Sequence, residues 1–179
     1  MSRLSERLFH LWRDESGVAT IEFLFALPVL LVIFMASFES GLMMTRSIML
    51  EQSLDMVMRE LRLGKYVAPD ADLLKTEICK RTVMFNNCAA NLMIDLQKVS
   101  TTTWALPTNA TSCVNNNAVI QPPVAPVFGQ QNDLMLVRAC IVVDAMFPLT
   151  GLGLSLTRTT ANGGGYEIVA VSAFANEPT

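Results

Sequence analysis

Histidine is almost missing from this chain of 179 residues: the single one is His10, near the start. Nothing beyond it can supply the imidazole of a Ser-His or Cys-His nucleophilic pair. Charge is scarce as well, at 16% of residues with a net charge of −3. No Lys/Arg-rich run with interleaved aromatics occurs, so nucleic acid is not an expected partner. There is no CxxC pair and no histidine near a cysteine, which argues against a zinc site. Gly163, Gly164 and Gly165 lack the Lys-Ser/Thr of a phosphate loop. Asp133, Asp144 and Glu167 are scattered acids. They read as solvated strand or loop positions, because nothing fixes the separation a catalytic pair requires. These absences lead us to expect neither an enzyme nor a cofactor or metal protein.

What the chain has in excess is apolar surface, with 51% hydrophobic residues. Residues 23–38 are sixteen positions without a charge. Eleven of them are strongly membrane-seeking, and at roughly −0.5 kcal/mol each they favour insertion by about 5 kcal/mol. Glu22, just ahead of the run, costs less than the roughly 3 kcal/mol of a charge at the bilayer centre. Pro28 is tolerated in a membrane helix as a kink. Arg3, Arg7 and Arg13 precede the run and Arg46 follows it, which favours a cytoplasmic N-terminus. Cys79, Cys88, Cys113 and Cys140 all lie beyond the span, where an oxidising compartment would pair them. Four cysteines allow three connectivities. The short local loop favours Cys79–Cys88, leaving Cys113–Cys140, at about 3 kcal/mol each in the chain-entropy model.

The expected organisation is a cytoplasmic leader at 1–17, a transmembrane helix at 18–44, an extramembrane continuation of that helix at 45–64, and an α+β domain at 65–179. Residues 4–14 read either as an amphipathic surface helix, with Leu4, Leu8, Leu11 and Trp12 on one side, or as a disordered tail. Met43, Ser47, Leu50, Leu54, Val57 and Leu61 form a heptad-like stripe, while Glu51, Asp55, Arg59 and Arg62 lie off it. Gly64 is well placed as a C-cap. A helix over 18–63 would run about 69 Å at 1.5 Å per residue, roughly twice what a membrane needs. Its second half must therefore pack on the α+β domain or on a neighbouring subunit. A short helix is expected at 70–82, with Leu73, Leu74, Glu77 and Ile78 in register. Strands are expected at 92–99 (half-buried), 134–145 and 166–174, with a loop at 100–131 that carries at most a strand fragment at 119–121. A glycine-rich connection fills 149–165. The fold class is α+β: a long N-terminal membrane-spanning helix continuing outside the membrane, then a small antiparallel sheet of about three strands.

One string carries a more specific signal. Gly17 is followed five residues later by Glu22 and then by the apolar run, which resembles the type IV pilin-like processing signal. Residues 14–23, with Leu27-Pro28 and Glu39-Ser40-Gly41, resemble the TadE/TadF-like minor pseudopilins of the tight-adherence (Tad, Flp-type) secretion system. The resemblance covers roughly residues 13–50 and says little about 65–179. Phe23 stands where the major Flp pilins often carry tyrosine. The resemblance implies cleavage after Gly17 by a prepilin peptidase, a new amine on Val18, and Glu22 as the fifth residue of the mature chain. Phe23, Leu27, Pro28, Leu31, Phe34 and Phe38 would then pack within the membrane. The implied partners are the peptidase, other pilins and pseudopilins, the inner-membrane pilus assembly platform and membrane lipid. The implied location is the bacterial inner membrane, single-pass, with the C-terminal domain periplasmic and incorporation into an extracellular pilus left open. Two alternatives stand beside this: an uncleaved single-pass protein with a periplasmic binding domain, and a secretory signal peptide, for which no clean A-x-A site appears near 36–40.

Overall fold

Between Val18 and Arg62 only Pro28 and Gly41 disfavour a helix, and the helix runs through both. In the computed structural model, which describes residues 18–66, 69–106, 113–114, 128–148, 152–153, 155–156 and 165–176, α1 spans Val18–Arg62, 45 residues. Gly64 ends it in the left-handed region at φ +67°. There the Gly64 N–H donates to the Leu61 carbonyl (3.0 Å) and the Lys65 N–H to the Glu60 carbonyl (3.1 Å). This is the paired bonding of a Schellman stop, and only a residue without Cβ enters that region at no cost. The expected surface helix at 4–14, the expected processing position Gly17 and the expected strand fragment at 119–121 lie outside the described residues.

The two halves of α1 meet different surroundings. Residues 19–34 are all exposed, and the helix is long and apolar enough to cross a membrane. The second half buries Leu50, Leu54 and Val57 completely, with Met43 and Leu61 partly covered. Ser53 and Met58 are buried too, so the apolar face is wider than a heptad seam. That width is what a helix lying on a sheet requires. The stripe packs on the chain's own sheet. Glu51, Asp55, Arg59 and Arg62 face outward, as expected.

Helix α2 (Ala71–Arg81) starts where the Asp70 carboxylate accepts the Leu73 N–H at 2.7 Å, satisfying one of the orphan donors of a helix start. It buries Leu74 and Ile78. A single turn, α3 (Cys88–Asn91), leads into β1 (Leu92–Val99). Cys79 is bonded to Cys88 and Cys113 to Cys140. Strands β2 (Leu134–Val143) and β3 (Tyr166–Ala175) complete a three-stranded antiparallel sheet in the order β1-β2-β3. Leu92 stands opposite Ile141, and Ile141 opposite Ile168. Gly165 (φ +83°) opens β3, and any Cβ there would meet the Val143 carbonyl oxygen at 2.7 Å.

β1 departs from the half-buried alternation expected of it. Leu92, Met93, Ile94, Asp95 and Leu96 are all buried. Ile94 and Leu96 join the core under α1, while Met93 stands opposite Cys140 on the other face. That second face carries its own small cluster of Cys113, Cys140 and Val142. Cys113, bonded to Cys140, covers part of that face. β3 keeps its alternation, with Glu167, Val169 and Val171 exposed.

Candidate functional site

Val18 opens α1, and Glu22 follows one turn later on its exposed surface. At 100° per residue, Phe23, Leu27, Leu31, Phe34 and Phe38 fall within about 80° of arc. All five are at least 37% exposed in the single chain, and Pro28 is exposed beside them. The helix thus presents a continuous apolar surface with a carboxylate near its start, exposed over residues 19–34 among the described residues.

The second carboxylate of the region, Glu39, carries part of the resemblance, but the sequence assigns it no partner. Glu39 directly follows the apolar run, yet it is only 1% exposed. Its Oε2 accepts two consecutive backbone N–H groups, from Met146 at 2.9 Å and Phe147 at 3.1 Å. Charge-assisted bonds of this kind offset the cost of taking a carboxylate out of water. The Phe38 ring meets the Phe147 ring edge-on at 6.2 Å. Two turns further along, Arg46 Nη1 donates to the Tyr166 hydroxyl (2.7 Å) and to the Asp144 carbonyl (3.2 Å). Gly153 is buried against this turn, and a Cβ there would strike the Phe147 carbonyl oxygen. Glu39 Oε1 and Arg46 Nε remain buried without a hydrogen bond among the described residues. The available clue was a charge at the point where sixteen apolar residues end, since such a charge needs a partner.

At the other end of the domain, Glu60 gathers three donors. Lys65 Nζ lies 2.8 Å from Oε1, and the Tyr66 hydroxyl (2.6 Å) and Arg81 Nη2 (2.8 Å) share Oε2. The Lys65 and Tyr66 bonds, with the Arg81 charge behind them, pull the Glu60 carboxyl down to about 2. Burial, and then the Glu60 bond, push the Tyr66 phenol up to about 12. The Arg81–Glu60 pair fastens α2 to the end of α1, and Arg81 also reaches Glu77 of its own helix at 3.2 Å. The Lys80 contact at 2.6 Å is the main cause that lowers Glu77.

Asp133 is remote from the other two scattered acids. Asp133 precedes β2 and Asp144 follows it, which puts them roughly 35 Å apart at 3.3 Å per residue. Asp133 is not free in solvent as expected: it pairs with Lys98 at 2.6 Å and accepts the Gln130 N–H at 2.9 Å. Both contacts hold its carboxyl below the usual range. Asp144 and Glu167 are exposed. Cys113, Cys140 and Glu167 bring their ligand atoms within 4.8 Å of one another, but the two sulfurs are joined in a disulfide. Metal ligation needs thiolates, so this cluster is not a metal centre.

Residues 17–59 match the family model described as TadE-like protein. The match begins at Gly17 and takes in Glu22, the apolar face, Glu39 and most of the buried stripe. α2 and the sheet lie beyond it. No curated protein and no solved structure matches the chain.

Proposed function

We propose that this chain, TadE-like over residues 17–59 and thereby associated with a Tad pilus, is a minor pseudopilin cut after Gly17 by a prepilin peptidase. The single observation that carries the reading is the division of α1. One unbroken helix is apolar and exposed in its first half and packed on its own sheet in its second. The exposed half needs lipid or neighbouring helices to cover it. Scission would leave an amine on Val18, and Glu22 of one subunit would meet the amine of the next. In low dielectric that pair sets register more than it adds affinity, since an unpaired Glu22 is costly there. The face of Phe23, Leu27, Leu31, Phe34 and Phe38 would pack against other pilins or the assembly platform. The α+β domain would stand on the periplasmic side, a placement supported by Arg3, Arg7 and Arg13 before the span and by two disulfides beyond it.

N-terminal sequencing of protein from a host with an intact pilus system is the direct test. The mature chain should begin at Val18, and Gly17→Leu should leave only full-length protein. Full-length protein persisting alongside an active peptidase would favour an anchored binding domain instead.

A further inference from the structure

The grip on Glu39 fixes where the domain stands relative to the bilayer. From Val18 to Phe38 is 21 residues, about 31 Å of helix, and a typical hydrocarbon core is about 30 Å thick. Glu39, the next residue, is buried by the domain itself rather than left to the headgroups. No spacer therefore separates the span from the fold. The turn that supplies the two N–H groups must sit at the same depth as Glu39. That turn displays Met146 at 57% exposure and an exposed Pro148, with Phe147 half-buried against Phe38. Single apolar side chains are exposed elsewhere on the domain too, Val83 and Trp104 among them; what sets this turn apart is its place at the end of the apolar half of α1. At a membrane interface apolar and aromatic groups are favoured.

We propose that the turn of Met146, Phe147 and Pro148 is a lipid-contacting foot. It rests in the interface of the leaflet from which α1 emerges and presses Met146 against the acyl boundary. The partner is the same bilayer that α1 crosses, because the foot is continuous with the span through Glu39 and Phe38. The inference rests on the membrane-spanning reading of α1, and the test separates the two.

The full chain, with Trp12 and Trp104 replaced by Phe, is reconstituted in phosphatidylethanolamine/phosphatidylglycerol vesicles carrying brominated acyl chains. A single reporter is then introduced as Met146→Trp, Phe34→Trp or Met56→Trp, with Pro148→Trp as a second reporter of the foot. Quenching at positions 34 and 146 or 148, and none at 56, is the expected pattern. Adding Glu39→Ala to the Met146→Trp protein should weaken quenching at 146 by several-fold, while the same change leaves quenching at 34 intact. Quenching at 34 but at neither 146 nor 148 would overturn the foot and leave the span standing. Loss of quenching at 34 as well would overturn the membrane reading and the foot together.

Discussion

Arg81 Nη2 lies 2.8 Å from Glu60 Oε2, across 21 residues of sequence. The contact joins the last turn of the long helix to the last turn of α2. With Tyr66 and Lys65 on the same carboxylate, it closes the end of the domain remote from Glu39.

The pH dependence of this joint has a definite sign. Glu60 is held at about 2 against an ordinary value of 4.5. A lowered native pKa gives a contribution that is complete above the unfolded value and fades as pH falls towards the folded one. The midpoint of urea unfolding should therefore drop between pH 4.5 and 2, and Glu60→Gln should flatten part of that drop. Tyr66, raised to about 12, contributes its own loss only above about pH 10. An acid limb unchanged by Glu60→Gln would show that the joint does not couple to folding.

Leu54 is fully buried where α1 crosses the sheet. Leu54→Ala removes methyl groups from a filled core and should cost about 2–5 kcal/mol. Met56, on the outward side and 48% exposed, should cost less than about 0.5 kcal/mol when changed to Ala. Denaturant titration of the two variants, followed by circular dichroism, compares them directly.

Gly153→Ala should loosen the Glu39 grip without touching Glu39. The new methyl pushes the Phe147 carbonyl away, and the two N–H donors move with it. Overpacking against backbone costs about 1–3 kcal/mol. Limited proteolysis should then show faster cutting near residues 146–148, and unchanged protection would refute the supporting role of Gly153.

Glu22→Ala should leave membrane insertion intact, because it removes a charge from the edge of an apolar run. It should reduce incorporation into the pilus, measured as the fraction of the protein recovered with sheared filaments. Equal recovery for both forms would remove the register role of Glu22.

Much of this fold could be read from residue patterns. The strands came out within two residues of their ends because β-branched and aromatic runs are bounded by turn residues, and α1 stops one residue before the position inferred from Gly64. The hidden features are those whose partners leave no trace in sequence. Glu39 Oε2 is bonded by backbone N–H groups 107 and 108 residues away, and any residue but proline carries that donor. Glu60 carries no signal in the sequence because Arg81 belongs to a different helix. Burial on both faces of β1 is likewise absent from its own pattern, since Cys113, bonded to Cys140 on the second face, lies among Thr, Asn and Pro residues with no periodicity. In each case the local pattern was sound, and a long-range contact added what it could not contain.

Helix α1 has no break between its bare half and the residues under the sheet, and the domain is bolted to it at Glu39 and again at Glu60. A twist applied inside the bilayer therefore has no hinge in which to dissipate. The domain must turn with the shaft like the bow of a key, and if the pilin reading proposed above holds, motion of a neighbouring shaft would reach the head as its reorientation.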